Sequence, residues 1–350
     1  MQLKGELKRM PVSERVHVLY RAERNLARWQ ERHAAGEVPG RWPYGLEALG
    51  ECGLSVVAES VEPAGVIRSG LSRLLPTSAR SLLVAQGTGV TWDEHVAQRM
   101  LEVRPFRRML TGVIWATDEL RDSGVERRLR SVLAAMHGVW VISRAQVEPL
   151  RALLGSSGPP VEFFRFGVDA TFFPRRPYPQ HPLVLSVGGD RDRDPETLFA
   201  ALALVKRARP ETEIIVQSAS DAAAPPGVIK LPRLSHLELR SMYAHASVVA
   251  VATRPNLHVS GLTVSLEAMA TGRPVVITES PGMDDYLDDG GTAFMVPRSA
   301  EALSESVIRL LDDPVAAEHM GDRGRASVEQ GLSTTHLARN LAGFIEAHAG

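Results

Sequence analysis

A rhythm constrains this chain more than any single residue does: short, unbroken apolar runs recur between longer stretches of helical period. One series occupies 16–20, 54–58, 81–85, 110–116 and 139–143; a second occupies 183–187, 213–217, 228–231, 248–252, 274–278 and 293–296. Helical stretches such as 195–208, 235–245, 263–271 and 300–311 lie between them. A strand that is apolar on both faces must be covered on both, which in an alternating chain means a parallel sheet between helix layers. The expected fold is α/β, with two doubly wound domains. The segment "FGVDATFFPRRPYPQHP", 166–182, has prolines at 174, 177, 179 and 182 that interrupt regular structure, so it reads as the hinge. The expected domains are therefore 1–165 and 183–330, with a closing helix in 331–350 that packs back on the first domain.

Bulk properties narrow the classes. A chain of 350 residues can hold two cores of ordinary size, and a net charge of −1 removes the simplest case for nucleic acid. The charge is uneven: residues 1–170 hold 23 Lys+Arg against 19 Asp+Glu, and the rest hold 17 against 22. That leaves peripheral contact with an anionic surface open for the first half. Cys52 is the only cysteine, so an intrachain disulfide and a cysteine-based metal site are both excluded. No apolar run approaches the ~18–20 residues of a membrane span, and "MQLKGELKRMPVSERV" lacks the apolar core of a signal peptide. The expectation is a cytoplasmic protein with no integral membrane segment.

The chemistry centres on "SGLTVSLEAMATGRPVVITESPG", 260–282. A Ser-Gly turn enters a helix carrying one carboxylate, Glu267, and the chain then runs through Gly-Arg-Pro into a buried strand. In open α/β sheets ligands sit at the carboxyl ends of strands. Gly261 lets backbone approach a ligand, and free amides at a helix start suit a phosphate. A carboxylate about one turn farther can accept hydrogen bonds from two vicinal hydroxyls, so diphosphate plus ribose describes a nucleotide-sugar. Glu267 could equally serve only to complement the helix dipole. A second anion-binding feature stands in "VLSVGGDRDRDPETLF", where Gly189 closes a turn and Arg191 and Arg193 follow. These arginines could also be a solvated cluster paired with Asp190, Asp192 and Asp194.

With these stretches, the chain resembles nucleotide-sugar glycosyltransferases of the GT-B fold, glycosyltransferase family 4. "GVWVISRAQVEPLRALLG", "VEFFRFGVDATFFP", "LSHLELRSMYAHASVVAVAT" and above all "LEAMATGRPVVITESPGMDDYLDDGGTAFMVP" carry the likeness. It implies two Rossmann-like domains facing a cleft, a nucleoside-diphosphate sugar donor and a small-molecule or lipid acceptor. It implies a mostly retaining reaction that needs no metal and no cofactor, in which the departing phosphate oxygen takes the acceptor's proton. By position, Glu267 matches the glutamate that binds the donor ribose. Gly261, Leu262 and Thr263 match the loop whose amides contact the diphosphate. Arg191 and Arg193 fall where the family has its basic pair, and "LPRLS", with Arg233, matches the loop that holds the base.

The pattern also breaks. Val259 stands where the family has its first glutamate, eight residues before Glu267, leaving Ser260 or His258 to face the sugar. In "VIWATDEL", Thr117 replaces the family's histidine while Asp118 remains, either as a catalytic group or as a cap for the helix that follows. Asp93, Glu94 and His95 of "TWDEHV" are the other candidate bases. Tyr20, Arg21, Trp42 and Tyr44 are candidate walls for the acceptor, with "GRWPYG" read as a turn bearing exposed aromatics. A degenerate, non-catalytic partner subunit and a nucleotide-sugar epimerase are the competing readings. No G-x-G-x-x-G enters a helix, which argues against a dehydrogenase.

Overall fold

A computed structural model describes residues 15–63, 84–120 and 122–348. Two six-stranded sheets, every pairing parallel, form its frame. The first contains β1 (Val16–Arg21), β2 (Val56–Val61), β3 (Ala85–Thr91), β4 (Phe106–Val113), β5 (Gly138–Val141) and β6 (Val161–Phe163), in the order β2-β1-β3-β4-β5-β6. The second contains β7 (Leu183–Val187), β8 (Glu213–Gln217), β9 (Ile229–Leu231), β10 (Val248–Val251), β11 (Val275–Thr278) and β12 (Ala293–Val296), in the order β12-β11-β10-β7-β8-β9. The expected α/β fold of two doubly wound domains is what is found. Residues of β7, β10 and β11 are buried throughout, as continuous apolar runs require.

The helices are α1 (Leu26–Ala34), α2 (Glu94–Val103), α3 (Ser123–Leu133), α4 (Val147–Leu154), α5 (Pro195–Ala208), α6 (His236–His245), α7 (Leu262–Ala270), α8 (Ala300–Asp312), α9 (Pro314–Gly331) and α10 (Thr334–Ala347). Their starts follow from local chemistry. Asp194 accepts the Thr197 amide at 3.2 Å ahead of Pro195, and Ser235 and Glu238 cap α6 reciprocally. α10 lies against the first domain: the Phe344 ring meets Trp140 and Phe164 edge-on. The segment 166–168 runs beside 332–334, with Val168 N–H donating to Leu332 at 3.0 Å and Thr334 N–H donating to Val168 at 3.1 Å.

One strand expectation needs correction. The third strand is Ala85–Thr91 and not 81–85, of which 81–83 lie outside the described residues. Its glycines disguise it as a loop. A side chain at position 89 would meet the Met100 sulfur and the Phe106 ring, both at 2.6 Å, so packing across the sheet demands glycine there. β6 was also missed; at three residues it carries too little pattern to read.

Candidate active site between the domains

Each sheet has a crevice where its strand order reverses, between β1 and β3 in the first domain and between β7 and β10 in the second. Ligands of such sheets bind outside the carboxyl ends at this point. Residues at the carboxyl ends of the two sheets line one cavity of about 460 Å³. Arg21, Trp92, Asp93 and Trp115 come from one domain, and Asp190, Arg193 and His258–Thr263 from the other.

Arg193 is the centre of the second domain's half. Its guanidinium lies between two glycine bends. A side chain at Gly188 would strike its Cζ at 2.5 Å, and one at Gly261 would come within 3.3 Å of Nη1. Its Nε is buried without a hydrogen-bond partner, the nearest acid oxygen being Asp190 Oδ2 at 3.4 Å. Burial draws the pKa of this guanidinium down, and Asp190 opposes the shift. Backbone pairing fixes the loop: Arg193 bridges Thr253, and Arg254 N–H donates to Asp192 at 2.8 Å.

Gly261 caps α7 in a left-handed conformation, φ 90°. It must be glycine twice over, because a Cβ would also touch Val251 and Ile277 at 2.9 Å. The Leu262 amide is spent on Val259 O at 3.0 Å, whereas Thr263 is exposed at the first turn, where helix amides lack internal partners. Glu267 follows on α7, only 8% exposed. Tyr243 donates its hydroxyl to Oε2 at 3.0 Å. Burial raises the Glu267 pKa to about 7, with Tyr243 pulling the other way. Glu267 lines a neighbouring cavity of about 220 Å³ with Arg233, His236 and Trp29. Arg24, Tyr44, Phe166 and Thr263 border both cavities, so the two adjoin.

Other expected residues go elsewhere. Arg191 does not join Arg193. It reaches across the cleft to the Trp115 carbonyl at 3.0 Å and lies over that indole, 5.7 Å from its centre. Gly189 and Arg191 border a second cavity of about 330 Å³ behind the turn, which Asp190 and Arg193 also line. Asp118 is not the cap of α3, a task done by Asp122. It accepts the Leu257 amide at 2.7 Å and lies 2.6 Å from His258 Nδ1, both on the opposite domain. Burial would raise the Asp118 pKa, but His258 and the Leu257 amide outweigh it and the net shift is downward. Ser260 donates its hydroxyl to Asp190 at 2.8 Å, and the buried His258 imidazole is held through Nδ1 by Asp118 while Nε2 has no hydrogen-bond partner. Val259 is buried with φ 53°, in a region that β-branched residues avoid.

On the first domain's side, Glu94 is no base. Its carboxylate accepts the amides of Ile114, Trp115 and Ala116 at 2.9–3.1 Å and holds that loop. Asp93 caps α2 and faces Arg21 at 3.2 Å, while His95 points to solvent. Tyr20 and Trp42 belong to the core, correcting their placement on the wall; Tyr20 donates to Pro43 O at 2.9 Å. Arg21 and Tyr44 do line the cleft. Tyr44 stacks on Trp92, centroids 4.1 Å apart at 13°, and Trp92 meets Phe166 edge-on. Trp92 and Gly188 were not picked out from sequence. The Gly-Gly pair was visible, but only the side chain lying over it shows which glycine is obligatory.

The two-domain architecture is that of the GT-B glycosyltransferases. Sucrose-phosphate synthase of Thermosynechococcus elongatus superposes with a TM-score of 0.67 at 18% identity, covering 95% of this chain and 98% of that one. HepE of Anabaena, solved with UDP and glucose, superposes at 0.68 with 14% identity over 95% of this chain and 99% of that one. At the level of sequence, residues 182–313 match the family described as Glycosyl transferases group 1. A curated relative is the GDP-mannose-dependent monoacylated alpha-(1-6)-phosphatidylinositol monomannoside mannosyltransferase of Corynebacterium glutamicum. It is 29% identical over 167 residues, 43% of this chain and 43% of the relative. The matched region thus spans less than half the length of that relative. No helix among the described residues is long and apolar enough to cross a membrane.

Proposed function

We propose that this chain is a glycosyltransferase that moves a sugar from a nucleoside-diphosphate sugar to a small-molecule or lipid acceptor, with retention and without a metal. One observation carries the reading: a half-buried guanidinium, Arg193, lies between Gly188 and the Gly261 start of α7, with Glu267 farther along the same helix. The diphosphate fits between Arg193 and the Thr263 end of α7, the ribose at Glu267, and the base beside Arg233 and His236. As the bond from the anomeric carbon to the leaving phosphate breaks, negative charge grows on the diphosphate. Arg193 and the helix amides stabilise it without reorganising. The departing phosphate oxygen takes the acceptor's proton, and the acceptor oxygen bonds to the same face of the sugar. No protein base is required, in keeping with Asp118, Glu94 and Ser260 all being engaged. The acceptor lies over Tyr44 and Trp92, near Arg21 and Asp93.

Two relatives frame the donor: one is named for GDP-mannose and another was solved with UDP. Calorimetric titration of the full chain with GDP, UDP and dTDP should give one clear binder, and the matching nucleotide-sugar should turn over with an acceptor extract. The product anomer, read by NMR, should match the donor. Binding without any turnover favours the non-catalytic partner reading, which the buried, apolar Val259 supports. Absence of binding by all three nucleotides overturns both.

A further inference from the structure

Asp118 stands on the first domain, yet its acceptors serve the second. Oδ1 takes the Leu257 amide at 2.7 Å, and Oδ2 lies 2.6 Å from His258 Nδ1. The loop it holds leads into the Gly261 start of α7. That loop is not at rest by itself: Val259 sits at φ 53°, a cost that surrounding structure must offset. Support from within the second domain comes from Asn256, whose Oδ1 accepts the Ser260 amide at 2.8 Å, and from Asp190, which accepts the Ser260 hydroxyl. Support from across the cleft comes from Asp118 and from Trp115, whose ring lies 4.7 Å from the His258 imidazole. Arg191 closes the same seam by donating to the Trp115 carbonyl at 3.0 Å.

We infer that Asp118 and His258 form a cross-cleft latch that sets the 257–263 loop, so that the diphosphate site is complete only when the two domains are together. This rests on the donor site proposed above. Asp118 is then a positioning residue: it acts through the loop and touches neither donor nor acceptor. The latch couples closure to donor binding, and such couplings are reciprocal. Bound nucleotide therefore favours the closed form, and losing the latch weakens the nucleotide.

The same cluster admits a rival occupant. Asp190, Asp192 and His258 offer ligand atoms within 4.8 Å of one another, and His258 Nε2 is buried with no hydrogen-bond partner, 3.5 Å from Asp192 Oδ2. Two guanidinium groups already face these acids, however. Arg191 Nε lies 3.1 Å from Asp192 and Arg193 Nε 3.4 Å from Asp190, so a divalent ion would be placed among cations. The latch is the reading that needs no further charge.

The test uses the full chain with Asp118→Ala, Asp118→Asn, His258→Ala and the double variant Asp118→Ala/His258→Ala, against Asp122→Ala as a control for helix capping in the same region. Removing Asp118 should raise the Kd of the nucleotide that binds wild type roughly 10-fold, within the usual range of such couplings. The double variant should be no weaker than the weaker single variant, because both remove one device. Asp122→Ala should lower Tm and leave Kd alone. Small-angle scattering should show a larger radius of gyration for nucleotide-free Asp118→Ala than for wild type. An unchanged Kd in both Asp118 variants, or additive losses in the double variant, overturns the latch. So does a wild-type affinity that falls with EDTA and returns with Zn²⁺, which would assign the cluster to a cation. Should wild type bind no nucleotide, the donor reading fails, and scattering alone decides the latch: expansion of Asp118→Ala supports it, and no expansion overturns it.

Discussion

In the second domain the crevice between β7 and β10 is made largely of backbone. Gly188 and Gly261 bend the chain inward, a helix start offers amides, and one guanidinium fills the gap. In the first domain the matching crevice between β1 and β3 is made of side chains: Arg21, Tyr44, Trp92 and Asp93. The first construction suits a part that all donors share, a diphosphate, because amides and a cation recognise charge and spacing alone. The second suits a part that varies, since exchanging a ring or a charge re-tailors the wall without disturbing the strands. A site made of backbone tolerates few residues; a site made of side chains tolerates many.

That contrast predicts a ranking. Arg193→Ala should cut transfer by roughly 10²–10³-fold, the scale of losing one preorganised donor to a developing charge. Arg191→Ala, whose partner is the Trp115 carbonyl, should cost far less. Steady-state kinetics on both variants decide this, and equal losses would restore the two arginines as a pair.

Next comes Glu267, whose raised pKa of about 7 makes its charge pH-dependent near neutrality. Ribose hydroxyls donate to the ionised carboxylate, so nucleotide affinity should climb from pH 6 to pH 8, and Glu267→Gln should flatten the Glu267 part of that climb. Stability runs the opposite way. A carboxyl whose folded pKa lies above its unfolded value stabilises the fold below the unfolded pKa, and that contribution is lost as pH rises through about 7. Thermal melts from pH 5 to pH 8 should therefore show wild type losing stability relative to Glu267→Gln. A Tm difference independent of pH would break the assignment.

The smallest effect should be on the side-chain wall. Tyr44→Ala removes the face stacked on Trp92 and should raise the acceptor KM by ~5-fold, as loss of one stacking contact of about 1 kcal/mol implies, and the donor KM by less, because Tyr44 also borders the Glu267 cavity. A donor shift larger than the acceptor shift would mean that the two walls are not separable.

The same contrast explains what the sequence disclosed. The strands 183–187, 213–217 and 293–296 were legible to the residue, because continuous apolar runs have one interpretation when helices flank them. The placement of Gly261 at a helix start and of Glu267 within that helix was legible because both are local patterns. The Asp-Arg-Asp-Arg run was not. Which guanidinium turns inward depends on 192–194 pairing with 252–254, some sixty residues away. Asp118 was opaque for a like reason, its partners being 139 and 140 residues distant. β3 misled because its Gly89 answers to the packing of Met100 and Phe106, and its Gly87 to the nearby Arg15 carbonyl, and not to a turn.

The two stretches that pass between the domains, 166–168 and 332–334, are hydrogen-bonded to each other in both directions. Two crossings tied side by side act as one binding, so the lobes share a single spine, like the covers of a book, and not two separate straps.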